Sequence, residues 1–470
     1  MVKRPRSKTP TAEPSLPVYF LSLTLENYRS FGPKQTLDLS DESGRPARWT
    51  VILGDNGTGK TSLLRKLVDM VPRLDQPPLP DGKGNPLASP QTIRSGGLDG
   101  LPEVKIGSQS ATFRAVYGYA ALLRGVGQRF KTASCDAEQY ADTRYSLGTS
   151  SLTDAPIHKM VLFAYGANRP IGSGSLSEYH ADGTRSLTVE NSPLMPAEEW
   201  LLQQDLLARH GNGDAGVAKQ RLATVIELLK HLLPADDIED ITFKAIDLSS
   251  ARQRIAVHVK TPYGEVPLRA LSLGYRTLMA WMIDLAVQMF ARYPDSPQPL
   301  HEPAVVLIDE IDLHLHPKWQ RQLFAGLSET FPNVQFIVTA HSPLIVQAAG
   351  KDANLVVLQR PEGASHVEIC RQPNQIRFWR VDQLLTSDLF GLPSARPPEF
   401  DNLYARKAEL LGRTKLTAKE QAELESIDDK LRREDYTESP AEARYLDILR
   451  RAAQVVNSNA SAGTKRSRKS

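Results

Sequence analysis

The chain has 470 residues, 41% of them apolar and 24% charged, with a formal net charge of +3. That balance suits a folded chain of two or three domains and excludes the fibrous and wholly disordered classes. No apolar run is long enough to span a bilayer, since the best of them, Leu278–Phe290, is broken by Asp284 and Gln288.

In chain order, Lys3, Arg4, Arg6 and Lys8 lead into Pro- and Thr-rich sequence with no apolar stretch behind them, so no secretory leader and a cytoplasmic location are expected. Lys465, Arg466, Arg468 and Lys469 make a second basic cluster at the far end, and between the two clusters acids outnumber bases. Both ends read as basic tails, candidates for contact with DNA or another polyanion. Cys135 and Cys370 are too few and too far apart for a disulfide framework or a thiolate zinc site.

Pro17 to Asn27 alternates as a strand, and a turn through Arg29–Pro33 leads to a second short strand at Gln35–Leu39, which predicts a hairpin. Trp49–Leu53 is an apolar strand that runs directly into a Gly-rich loop, with a helix beginning near Thr61. The segment Pro72–Gly100 reads as a long loop or insertion. Extended segments resume at Ala111–Leu123 and Lys159–Tyr165, the latter ending in the loop Gly166–Gly172. Residues 197–233 form two helical pieces split by Gly211–Gly216, followed by strands at Ile241–Leu248 and Arg254–Lys260. A helix at Leu278–Phe290, a strand at Ala304–Ile308 and a helix at Lys318–Ser328 come next, then strands at Val334–Val338 and Asn354–Leu358. Such alternation predicts an α/β core with a largely parallel sheet. Beyond Phe378 the chain is mostly helical and polar, with helices near Lys419–Glu434 and Pro440–Val455.

The loop Gly54, Asp55, Asn56, Gly57, Thr58, Gly59, Lys60, Thr61 fits the phosphate-binding pattern at each fixed position. Its glycines let successive N–H groups curl around phosphate oxygens, and the following helix adds its positive end. Lys60 supplies charge to the β- and γ-phosphates, the Thr61 hydroxyl is a magnesium ligand, and Ser62 completes the predicted nucleotide-binding run. Asp309, at the end of the apolar strand, is the second candidate magnesium ligand, and Glu310 the group to orient or deprotonate the attacking water. Ser272 and Gly274 stand immediately before a helix, where free N–H groups can cap a γ-phosphate. His341 follows a strand and is a candidate contact for the γ-phosphate or the water.

These four elements, in this order, resemble the ATP-binding-cassette head of the chromosome-maintenance, recombination-repair and overcoming-lysogenization-defect ATPases. The resemblance covers about residues 20 to 360 and implies an α/β P-loop NTPase of ATP-binding-cassette type. Such a fold has a mixed β-sheet core, a helical lobe and here a helical C-terminal extension. It further implies ATP and magnesium as cofactors and a homodimer, or a higher homo-oligomer, in which Ser272 and Gly274 of one head complete the site of the other. Carried over, Glu310, Lys60 and His341 are catalytic, Thr61 and Asp309 hold the metal, Ile311–Leu315 resembles the D-loop, and a residue of the Arg29–Phe31 turn lies near adenine. Leu273 departs from the usual signature glycine. The glutamine that links magnesium to the helical lobe has no unique counterpart: Gln91, Gln109 and Gln128 compete, and the loop Tyr165–Arg169 is the candidate replacement.

The wording of Asp309–Gln320, Phe331–Phe336 and Trp379–Leu392 is similar to bacterial ATPases of the Septu anti-phage type. That implies a role in phage defence beside a separately encoded HNH-type nuclease. The alternatives are a DNA-repair or DNA-tethering ATPase, a self-contained lysogenization-defect-type nuclease, and a non-hydrolysing interaction module. Asp382, Asp388, Glu399 and Asp401 are too scattered for a two-metal nuclease centre. His314 and His316 read as part of the dimer-facing loop, not as metal ligands. The expected organisation is a basic tail at 1–16, an ATPase head at 17–360 with a helical lobe or insert at about 72–300, a helical extension at 361–457 and a basic tail at 458–470.

Overall fold

The computed structural model describes residues 17–69, 71, 109–118, 130–139, 145–148 and 160–434, the last stretch with short gaps at 173–174, 179–181, 212, 234–237, 248–252, 352, 373, 393–394, 396 and 413–415. The Pro72–Gly100 loop and the Pro440–Val455 helix expected above lie outside the described residues. The chain divides into two compact units, Met1–Phe390 and Gly391–Ser470.

In the first unit the expected hairpin is β1 (Val18–Glu26) and β2 (Gln35–Asp38), paired antiparallel with Leu23 opposite Leu37. After it come β3 (Trp49–Gly54), α1 (Lys60–Asp69), β4 (Gln109–Gly118), β5 (Phe130–Gln139), β6 (Tyr145–Gly148) and β7 (Leu162–Tyr165). A helical and hairpin region follows: α2 (Arg185–Thr188), α3 (Ala197–His210), α4 (Ala215–Leu232), then β8 (Asp240–Asp247), β9 (Gln253–Thr261) and β10 (Gly264–Pro267), and the long α5 (Leu273–Arg292). The unit closes with β11 (Ala304–Ile308), α6 (Pro317–Thr330), β12 (Val334–Thr339), α7 (Pro343–Ala348), β13 (Asn354–Gln359), β14 (Glu368–Gln372) and α8 (Val381–Leu385).

A six-stranded sheet in the order β14-β13-β3-β12-β11-β7 is the platform of the unit, parallel throughout except for the edge strand β14. Its central strands are apolar without alternation because both faces are covered. Trp49, Val51, Leu53, Val306 and Ile308 point into one core with Leu228 of α4, Met282 of α5 and Phe324 of α6. Ile52, Val305 and Leu307 point into the other, with Leu63, Leu64 and Leu67 of α1 and with Phe20, Leu23 and Leu25 of β1. The amide of Gln335, buried on β12, mimics a strand: it accepts from Phe20 N at 2.9 Å and donates to Phe20 O at 2.9 Å, tying the platform to β1. Strand β1 in turn is part of a five-stranded antiparallel sheet, β2-β1-β4-β5-β6, while β8, β9 and β10 form a separate three-stranded sheet.

Asp284, which interrupts the apolar run of α5, is buried and accepts hydrogen bonds from Tyr165 Oη at 2.9 Å and Met195 N at 3.1 Å. A buried carboxylate is tolerable only with such partners. Two segments differ from the expected organisation. The range about 72–300 is more than a helical lobe: β7 joins the platform beside β11, and β4, β5 and β6 extend the antiparallel sheet. The stretch after residue 360 starts with a strand, β14, which pairs with β13 before any helix forms. The partner of β7 lies far away in sequence, beyond the reach of local pattern, whereas β14 folds back on the strand just before it.

The second unit contains α9 (Pro398–Leu411) and α10 (Ala418–Glu434). Leu410 and Ile427 form its small core, backed by Leu403, Leu416 and Leu424. Arg406 grips Glu423 with two hydrogen bonds, at 2.8 and 3.0 Å, and Thr417 and Glu420 exchange side-chain-to-backbone bonds as a capping box at the start of α10. Among the described residues no helix is long and apolar enough to cross a membrane.

Candidate nucleotide-binding site

Strand β3 delivers the loop 54–59 to the carboxyl edge of the platform, and α1 starts at Lys60. Gly54, Gly57 and Gly59 have φ of +145°, +79° and +101°, the region that glycine enters without a Cβ penalty. A Cβ on Gly59 would collide with Ser30 Oγ and the Phe31 ring, and one on Gly54 would lie 2.6 Å from Leu358 O. Beyond Gly57 there is open space, and Asp55, Asn56 and Gly57 are exposed. The loop is therefore clamped from below and open above, as a phosphate cradle requires.

The Lys60 ammonium folds back onto Gly54 O at 2.7 Å and Asp55 O at 2.9 Å. Burial pulls its pKa below the ordinary lysine value, while Asp309 and then Glu310 push the other way. A partly desolvated ammonium held on neutral carbonyls is poised to favour an anion beside it. The turn after β1 braces the same loop: Ser30 Oγ donates to Thr58 O at 3.0 Å, and Arg29 Nη1 donates to Ser62 Oγ at 3.0 Å. The expected adenine-proximal turn thus packs on the loop itself.

Strand β11 leads directly into Asp309, which is buried, and the parallel pairing with β12 sets Thr339 beside it. Thr61 Oγ1 donates to Asp309 Oδ2 at 2.7 Å, and Thr339 Oγ1 donates to Asp309 Oδ1 at 2.7 Å. The same Thr339 oxygen accepts from Glu310 N at 2.7 Å. Glu310 has φ +48°, a left-handed conformation that costs a non-glycine residue about 1–2 kcal/mol. Its carbonyl is held by Arg169 Nη2 at 2.8 Å, and its carboxylate lies 4.0 Å from His341 Nε2. His341 is anchored in turn by its backbone N–H, which donates to Asp312 Oδ2 at 3.0 Å.

Lys60, Thr61, Asp309, Glu310 and His341 thus meet at one sheet edge, whereas Ser272 and Gly274 stand at the start of α5. Ser272 is exposed and its side chain makes no capping bond, Leu273 is 49% exposed, and Gly274 packs so tightly on His314 O that a Cβ would collide with it. His316 caps α6 by accepting from Lys318 N at 3.3 Å. Of the competing glutamines, Gln109 opens β4, while Gln91 and Gln128 lie outside the described residues. One contributor escapes a reading by motif, Thr339, a strand threonine like any other in pattern. Arg169 lies in the loop Tyr165–Arg169 expected in place of the linking glutamine, and its contact with Glu310 O depends on β7 pairing with β11.

Hard oxygen donors on Thr61 and Asp309, brought together under an open glycine cradle, fit a magnesium–triphosphate group. A family model described as "AAA domain, putative AbiEii toxin, Type IV TA system" matches residues 49–347. Among curated proteins the chain is similar to a Septu protein PtuA of Bacillus thuringiensis, 31% identical over 43% of this chain and 50% of the relative. It is 34% identical to a Septu protein PtuA of Bacillus mycoides (strain KBAB4) over 35% of this chain and 22% of that one. It is 48% identical to "Retron Vc95 probable ATPase" of Vibrio cholerae serotype O1 biovar El Tor over 17% of this chain and 16% of that one. The match therefore spans half or less of each of these relatives. With the phosphate loop on β3, the paired acids two strands away on β11, and an antiparallel sheet over α1, the fold is that of a P-loop ATPase head of ATP-binding-cassette type, and the chain belongs to the AAA-domain family whose model it matches.

Proposed function

We propose that the chain binds ATP with magnesium at Gly54–Ser62 and hydrolyses it, and that two copies close on the nucleotide. The observation that carries this reading is the 2.7 Å bond from Thr61 to Asp309, which joins residues 248 positions apart into one oxygen-rich site. Lys60 leaves the carbonyls of Gly54 and Asp55 for the β- and γ-phosphates, and the loop N–H groups cradle their oxygens. Thr61 and Asp309 would hold magnesium, which when bound neutralises phosphate charge. Glu310 takes a proton from the attacking water as the new oxygen–phosphorus bond forms and the bond to ADP breaks, ADP leaving with the electron pair. His341, beside the Glu310 carboxylate, donates to the γ-phosphate or orients the same water.

Ser272 and Gly274 of a second copy supply the remaining contact, since the exposed start of α5 offers free N–H groups to a phosphate. ATP thus acts as glue as well as substrate, and hydrolysis parts the heads. The similarity to the Septu and retron proteins supports placing this cycle in cytoplasmic anti-phage defence, with a separately encoded HNH-type nuclease as the partner and DNA or another nucleic acid as a further contact.

The test is Glu310→Gln. The variant retains ATP, loses turnover and elutes as a dimer on a sizing column with ATP and magnesium. Turnover equal to wild type overturns the role of Glu310, and an ATP-bound monomer overturns the pairing. Capture of the trapped variant from its native host, with the co-purifying chains identified, tests the partner: a nuclease is expected, and its absence removes the partnership while leaving the ATPase.

A further inference from the structure

Strand β7 runs parallel to β11 with Tyr165 in register with Ile308, and Tyr165 O accepts from Asp309 N at 2.8 Å. The loop that follows therefore enters the site from the side opposite Thr339. It carries Arg169, which is only 5% exposed. One guanidinium nitrogen, Nη2, donates to Glu310 O at 2.8 Å, while Nε and Nη1 have no hydrogen-bond partner among the described residues. Asp312 Oδ1, on the same Asp309–Asp312 segment, is likewise buried and without a hydrogen-bond partner among the described residues.

A buried guanidinium with one neutral acceptor is costly, and such a group persists where surrounding charge offsets its desolvation. Burial pulls Arg169 down to about 10, with Asp309, Glu310 and Asp312 opposing the shift, so the side chain stays charged at neutral pH. Its one bond goes to the peptide of the residue with φ +48°. The Glu310 peptide is pinned at both ends, its N–H by Thr339 and its C=O by Arg169, and neither partner is adjacent in sequence. A strained backbone conformation is held only where its surroundings over-determine it.

We infer that Arg169 is a positioning residue for hydrolysis: it holds the main chain of Glu310 in the left-handed conformation and so aims the carboxylate at the water. This rests on the hydrolytic reading given above. Arginine suits the task because its planar fork is rigid and stays charged when buried, whereas a lysine ammonium sheds its proton more readily on burial. A cleft of about 580 Å³, lined by Asn168, Arg169, Leu273, Arg276, Thr277 and His314, adjoins the side chain and gives a small cation access to this place.

The experiment compares wild type, Arg169→Gln and Arg169→Ala. Fluorescent ATP binding to Arg169→Gln should stay within about threefold of wild type while kcat falls about 100-fold, as expected for a group acting through a general base. Combined with Glu310→Gln it should add no further loss, and guanidinium in solution should restore turnover to Arg169→Ala. A matched loss of affinity and kcat, or a double variant far slower than Glu310→Gln alone, overturns the inference. A crystal structure of Arg169→Gln with the Glu310 backbone unmoved overturns it too, whether or not the wild type hydrolyses ATP. A wild type that binds ATP without turnover instead sinks the hydrolytic reading, and the crystal structure still decides what Arg169 holds.

Discussion

Thr339 offers the sharpest test of the geometry around Asp309. It is fully buried, and its single hydroxyl serves two neighbours, donating to Asp309 Oδ1 and accepting from Glu310 N, each at 2.7 Å. Thr339→Val keeps the shape and removes both bonds. A hydrogen bond to a charged group contributes about 1.5–3 kcal/mol, and a buried N–H left without a partner costs about 1–3 kcal/mol. The expected loss is therefore about 2.5–6 kcal/mol, with the Asp309 carboxylate still accepting from Thr61. Thr339→Ser keeps the hydroxyl and sheds one methyl, an expected loss of about 1 kcal/mol. Denaturant unfolding of the whole chain, read at the midpoint with the slope unchanged, separates the two. A valine variant within about 1 kcal/mol of wild type, or a serine variant as damaged as the valine one, would refute the bridging role.

Other substitutions address other parts of the site. Gly59→Ala places a Cβ against Ser30 and Phe31 at φ +101°, so the loop must leave its seat; the melting temperature should fall and ATP affinity with it. A variant that melts and binds as wild type does would show that the turn after β1 does not brace the loop. Lys60→Ala leaves the cradle without its cation and should abolish ATP binding in titration calorimetry; retained affinity would contradict its assignment. Ser272→Arg should leave ATP capture by the monomer intact and weaken ATP-driven pairing, and undiminished pairing on a sizing column would remove the start of α5 from the interface.

Much of the site was legible because its parts are local. A phosphate loop needs glycines at set places between a strand and a helix, and the run Trp49–Thr61 writes all three in one stretch of chain. Strand β11 was equally clear, spanning Ala304–Ile308 as expected, because five apolar residues ending in two acids have few other uses. The α5 helix was harder to bound: it begins at Leu273, five residues before its apolar run, since Gly274 and Tyr275 carry no helix-favouring pattern. Cys370 sits partly buried on β14, an edge strand, where no local pattern marks its exposure.

Residue pattern alone determined the strand–loop–helix unit, the two acids after β11 and the all-apolar strands of the platform, because each depends on neighbours within about a dozen positions. Tertiary structure decided who stands beside them: Thr339 and Arg169 on either side of Glu310, Phe31 beneath Gly59, Tyr165 and Met195 on the carboxylate of Asp284. Those contacts follow from strand order and register, and a threonine or arginine carries no local mark of the strand that will lie next to it.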